Sequence, residues 1–314
     1  MTAIGAVILW RAYFSCRACC MGGDSADRLL GLDGFLARRA TRLIGLLGGR
    51  NAFAVAERPP AECCGWKVRD GRIRRACQAE ATRIAAFGAS SPAVAAAFTA
   101  AAGDVEFQTD AAKVNTTGGW RDMKIGILAR RERGEPATPA EWDERDPPAP
   151  TTRAAFAAIE AIDDFAPRRG AGATRPGIED RGAIPVLGDG AEWIRNAASG
   201  QFGACHQVLD IYHAAEHLAD AGKGLFGVGT PAAAAWLERG RGLPLSDGRA
   251  GLCDHIGSTL SEAPELAGHA ALGELTGYFA MHTGRLAYCH RLYTGQSIGS
   301  GRGEGAARTW WDAA

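Results

Sequence analysis

The spacing of apolar positions changes along the chain, and the changes mark out its elements. Near the start, Phe35, Leu36, Leu43, Ile44 and Leu47 recur at helical spacing and stop at Gly48-Gly49, predicting a helix over 35–47. A second short helix is expected over 51–58, ended by Pro59-Pro60. A third begins at Asp70, a side chain suited to an N-cap, and continues through Ile73, Cys77 and Ile84. Ahead of these, the apolar run 3–10 reads as a strand.

From Val105 the pattern shortens to that of strands. Residues 105–109 run up to Asp110, a turn containing Asn115-Thr-Thr-Gly-Gly follows, and 120–129 alternates back as the second strand of a hairpin. The proline-rich and charged stretch 131–153 predicts a long surface connection, followed by a helix over 154–165 and a second loop over 168–175. A strand is then expected over 183–187, ending in Gly188-Asp189-Gly190, with a helix over 191–198 and a strand over 207–211. After His213 the chain turns helical and alanine-rich up to Tyr293. This order predicts a mixed α/β sheet with Asp110 and Asp189 both at strands, preceded by a small, mainly helical region.

Composition narrows the class. The chain has 314 residues, 46% hydrophobic and 22% charged, which suits a globular protein with a sizeable core. Basic and acidic residues both total 35, so net charge alone names no partner. Residues 1–90, however, hold 14 basic and 7 acidic side chains, a surplus of 7 that the rest of the chain offsets. Lys67, Arg69, Arg72, Arg74 and Arg75 cluster at the start of the third helix, and three short helices so arranged resemble a helix-turn-helix that sets cations against DNA phosphates. The other reading is a solvated basic face on a small bundle. Nine cysteines without regular pairing point to reduced thiols and a cytoplasmic location. Cys16 and Cys19 have the spacing of half a zinc site, but no second Cys-x-x-Cys follows, so zinc is not expected. The run 3–10 falls well short of the roughly 20 residues that span a bilayer, and no membrane partner is expected.

Three chemistries compete for the acidic and imidazole groups. His213-Ala-Ala-Glu216-His217 matches the His-x-x-Glu-His of a zinc peptidase, in which two histidines four apart bind the metal and the glutamate activates water. Gly295-Gln-Ser297-Ile-Gly299 matches a nucleophile elbow, but the required histidine should follow the serine and the last is His290. The third grouping is Asp110, Asp189 and Glu304. Carboxylates from separate sheet elements can bind two divalent ions, magnesium or manganese, that activate an attacking oxygen and stabilise a leaving one at a phosphodiester.

The motif contexts favour the third. Arg11 to Cys19, Leu29 to Gly34, Thr109 to Lys124, Glu141 to Arg145 ahead of Pro150 to Arg153, Leu187 to Ile194, Leu209 to Leu218 and Ile298 to Glu304, in that order, resemble bacterial insertion-sequence transposases of the ISKra type, related to the Mutator-like group. The resemblance implies a ribonuclease-H-like core in which Asp110, Asp189 and Glu304 are catalytic and hold the two ions. It implies that Asp210-x-x-His213 is a supporting feature and that His213-x-x-Glu216-His217 arises from the same helix start. It implies four regions: a DNA-binding region over 1–90, a core over 104–213, a helical insertion over 214–293 and the glutamate-bearing segment over 294–314. The expected partner is double-stranded DNA, both element ends and target, bound by a homo-oligomer associated with the bacterial nucleoid. Relatives carry an upstream zinc-ribbon half and a basic helical tail after the glutamate, whereas here the glutamate stands ten residues from the end. The expectation is therefore an active transposase or, as the alternative, an inactive DNA-binding remnant of one.

Overall fold

The computed structural model of the protein describes residues 7–299, apart from 11, 20–21, 24–28, 31, 34–35, 66, 117, 143, 162–163, 165–183 and 203–204. Glu304 and the loop expected over 168–175 lie outside the described residues. The chain divides into two compact units, one up to Phe87 and one from Gly88.

The first unit is helical. Helices α1 (Arg38–Gly48), α2 (Arg58–Cys64) and α3 (Asp70–Ser90) bring Leu36, Ala40, Ile44, Ala56, Val68 and Ile73 into one buried core. Pro59 and Pro60 do not end a helix here. They lie in the first turn of α2, where the missing N–H has no intrahelical partner to lose and the fixed φ favours the helix. Before them, only the single 3-10 turn Val55–Glu57 forms from the helix expected over 51–58. The described part of the run 3–10 is not a strand either. Val7 to Trp10 have no regular structure and Trp10 is 93% exposed, since a strand needs a partner to satisfy its backbone groups.

The second unit is built on a five-stranded sheet. Its strands are β1 (Asp104–Thr116), β2 (Gly119–Arg131), β3 (Thr152–Ala158), β4 (Ile184–Gly188) and β5 (Cys205–Leu209), in the order β3-β2-β1-β4-β5. β1, β2 and β3 pair antiparallel, while β4 and β5 run parallel to β1. The hairpin is longer than expected: β1 continues through Asp110 to Thr116, so that carboxylate sits inside a strand rather than at its end. The helix expected over 154–165 is, over its first part, β3. Alanine favours a helix in isolation, but pairing from Thr152 to Ala158 against Arg130 to Lys124 satisfies the backbone, and alternate residues turn outward. Tertiary pairing outweighs local propensity there.

The sheet is covered on both faces. Phe107, Val105 and Val186 pack with Phe98 of α4 (Pro92–Ala100) and with Ile194 and Ala198 of α5 (Glu192–Phe202). Leu187 and Leu209 join the other core, with helices α6 (Ile211–Phe226), α7 (Pro231–Gly240), α8 (Leu243–Glu262), α9 (Ala270–Met281) and α10 (Tyr288–Tyr293) supplying Leu218, Trp236, Leu252, Phe279, Tyr288 and Leu292. Each such fully buried side chain contributes about 1.5–3 kcal/mol, so the central strands are held rigidly from both sides. β5 ends two residues earlier than expected. Asp210 accepts a hydrogen bond from the Tyr212 N–H at 2.8 Å and so caps α6, which starts at Ile211.

Candidate active site

Parallel pairing of β1 with β4 sets two aspartates side by side. Phe107 is opposite Val186 and Gln108 opposite Leu187; two residues further along each strand come Asp110 and Asp189. β1 carries Asp110 rigidly, paired across to Ile125 of β2. Asp189 follows the last residue of β4, in a tight turn. Its Oδ1 accepts the Ala191 N–H at 2.8 Å, and Gly190 has φ +86°, a conformation that favours glycine. A Cβ at Gly190 would also lie 2.7 Å from the His282 ring.

Asp210 and His213 join them. The Asp210 N–H donates to the Gly188 carbonyl at 2.9 Å, tying the end of β4 to the cap of α6, and the Asp210 side chain is fully buried. His213 lies in the first turn of α6, its Nδ1 3.2 Å from Glu216 Oε2. The effect on Asp110 shows how close these groups are. Burial is the main cause that raises its carboxyl above the usual range, and the charges of Asp189 and Asp210 add to this, while the Ala111 N–H at 2.7 Å and His213 oppose it. Three carboxylates and one imidazole therefore share a small region at the end of the central strands. Crowded oxygen donors of this kind suit a hard divalent cation, which relieves their repulsion.

The donor set fits magnesium or manganese in part. Asp110 and Asp189 would supply two carboxylate ligands; the third expected one, Glu304, lies outside the described residues. Among the described residues, no group of three or more His, Cys, Asp or Glu side chains is placed so that it could hold a metal ion. The peptidase-like pair is differently engaged. His213 faces Glu216, whereas the His217 ring stacks on Tyr278 with centroids 3.6 Å apart. Cys16 and Cys19 are exposed, and hydrogen bonds from the Cys19 backbone, the Cys19 thiol and the Ala18 backbone lower the Cys16 thiol. The described cysteines are free thiols.

Other contacts around the site had no sequence signal strong enough to single them out. Tyr278 of α9 donates its hydroxyl to the Asp189 carbonyl at 3.2 Å, bracing the turn from 89 residues away. His282, one helical turn on, packs edge-on against Tyr278 and is pushed down to about 4, first by burial and then by the neighbouring Arg285, His217 and Arg195. The proline-rich connection is more than a surface loop as well. Gly134 N donates to Gly295 O at 2.9 Å, Ala137 N to Leu292 O at 3.1 Å and Arg145 Nη1 to Gln296 O at 2.8 Å. Ile211 N donates to Ile298 O at 3.1 Å, which sets the 295–298 segment along the start of α6.

The cations of the first unit keep to its surface. Lys67, Arg69, Arg72, Arg74 and Arg75 are all exposed at and just before the start of α3, and Arg69 lies 3.5 Å from Glu57. No described helix is long and apolar enough to cross a membrane. Comparison of the sequence with protein-family models and with curated proteins gives no match to either.

Proposed function

We propose that this chain is a DNA transposase of the Asp-Asp-Glu class with a ribonuclease-H-like core, which cuts insertion-sequence ends and joins them to target DNA. The observation that carries this reading is the adjacency of Asp110 and Asp189 on two paired central strands, crowded further by Asp210. A five-stranded sheet with the order β3-β2-β1-β4-β5, the first three strands antiparallel, is the arrangement such a core calls for, and the helical block after β5 corresponds to the insertion.

In this reading Asp110 and Asp189, with Glu304, hold two magnesium or manganese ions. When bound, such ions would supply activation of an oxygen nucleophile and stabilisation of the departing oxygen at the scissile phosphodiester. Asp110 keeps its carboxylate fixed because β1 is paired on both sides. Asp189 keeps the second because Ala191 and Tyr278 hold its turn. Asp210 and His213 maintain the end of β4 and the start of α6 in register and set the charge around Asp110. The cations from Lys67 to Arg75 bind the phosphates of double-stranded element ends and target. The protein works on paired DNA ends as a homo-oligomer.

The test is a manganese-dependent cleavage and strand-transfer assay on element-end DNA with the full chain, and Asp189→Asn as control. Wild-type activity at least two orders of magnitude above the variant is expected, about the loss that misplacing a reacting group by 1 Å produces. Equal activities would remove the enzyme reading, and DNA binding without cleavage would leave the inactive remnant in its place.

A further inference from the structure

The turn that carries Asp189 is flanked by two arginines that the reading above does not use. Arg195 stands on the first turns of α5, directly after the turn. Arg285 follows α9, and its Nη1 lies 3.0 Å from His282 Nδ1, the imidazole that abuts Gly190. Both guanidiniums bear on the same small region: each depresses His282, and Arg285 is itself lowered by burial and then by Arg195.

Their charges are poorly balanced inside the chain. Among the described residues Arg285 has no carboxylate within ion-pair distance, and neither arginine is bridged to Asp189. Arg195 is paired with Glu192 at 3.0 Å, but both side chains are largely exposed, and such a pair contributes little. A half-buried guanidinium beside a second cation is costly unless an anion meets it. Guanidinium groups bind phosphate through parallel hydrogen bonds, which suits a planar fork better than a point charge.

We infer that Arg285 and Arg195 form a seat for a DNA backbone phosphate beside the Asp189 turn. The inference rests on the nuclease reading and names how the helical insertion takes part in it. The insertion thus does two things at one turn: Tyr278 braces Asp189, and Arg285 holds the strand against it.

The test is the salt dependence of binding. A fluorescently labelled DNA duplex is titrated with the full chain over a series of KCl concentrations, and the slope of log affinity against log salt is compared between variants. Arg285→Gln is expected to weaken binding and reduce the slope by about 0.9, the value for one duplex phosphate contact, while Arg285→Lys keeps the wild-type slope. An unchanged slope in Arg285→Gln overturns the seat, as does an equal loss in Arg285→Lys, which retains the charge. Should Arg285→Gln lose the wild-type unfolding transition, Arg195→Gln at its exposed position reads the same seat by the same criterion. The two proposals fail separately. A slope that depends on Arg285 in a chain that cannot cut DNA keeps the seat and removes the nuclease; cleavage with an unaltered slope does the reverse. Absence of any duplex binding removes both.

Discussion

Strand β1 carries Glu106 and Asp110 on one face, and the surroundings of these two carboxylates are opposite. Glu106 is buried and satisfied: its Oε1 accepts from Arg131 Nε at 2.9 Å, Arg131 Nη2 at 2.8 Å and Gln108 Nε2 at 3.1 Å. Arg131 in turn donates to the Pro148 carbonyl. Asp110, four residues further along the same strand, meets Asp189 and Asp210 instead of a guanidinium, and its carboxyl is raised. The strand shows two uses of a buried carboxylate. One is neutralised within the chain and belongs to the architecture; the other is crowded by like charge, which protonation of Asp110 or a bound cation relieves. That difference, more than the aspartates' identity, marks Asp110 and the adjoining end of β4 as the candidate site.

Removing the cation from the neutralised end should give the largest effect. Arg131→Met leaves Glu106 buried without its counter-charge and is expected to cost about 3–5 kcal/mol, measured by urea unfolding. A loss no greater than that of a surface substitution would mean that Glu106 is not held as described.

At Asp110 the removal of a charge should have the opposite sign. Asp110 has a folded-state pKa above its unfolded value, so its favourable contribution is present below the unfolded pKa and is lost as pH rises through the folded one. Asp110→Asn should therefore stabilise the metal-free protein at neutral pH and match the wild type in acid, while abolishing cleavage. Unfolding curves at the two pH values check this, and destabilisation at neutral pH would contradict the contrast.

Smaller effects should come from the braces. Tyr278→Phe removes one hydrogen bond to the Asp189 carbonyl, about 1 kcal/mol in stability, and is expected to cut cleavage about 10-fold while raising the manganese concentration needed for half-maximal rate. A lower rate with unaltered manganese dependence would remove Tyr278 from the support of Asp189. His282 has the lowered folded pKa of a buried, neutral imidazole, so it subtracts stability as pH falls from about 6.5 toward about 4, because the unfolded chain gains the proton first. His282→Asn should flatten part of that slope; an unchanged pH profile of stability would show that the ring is more hydrated than its packing implies.

The two carboxylate environments also differ in how far they could be read from sequence. Asp189 was legible because an apolar run ending in Gly-Asp-Gly combines a central buried strand with a sharp turn, both local properties. Its pairing with Asp110 was reached through the resemblance, since spacing alone leaves many acids to choose from. Glu106 and Arg131 gave no warning: the bridge forms only because the hairpin runs on to Arg131, and Arg131 sits 25 residues away. β3 was hidden by its alanines, whose helical preference is overruled by an open edge of β2. Pro59 and Pro60 misled in the other direction, since proline interrupts a helix interior but suits a first turn. Tyr278, His282 and Arg285 were invisible because their contacts come from the packing of the helices after β5 against the Asp189 turn, not from any local pattern.

The most direct test of the claim that Asp110 and Asp189 form an uncompensated cation site is manganese binding itself. Electron paramagnetic resonance of the full chain titrated with Mn2+ reads free ion against bound. Saturable binding is expected for the wild type, with loss of at least one bound ion in both Asp110→Asn and Asp189→Asn and no change in Glu106→Gln. Equal binding by the wild type and the two aspartate variants, or a loss in Glu106→Gln as large as theirs, would contradict it.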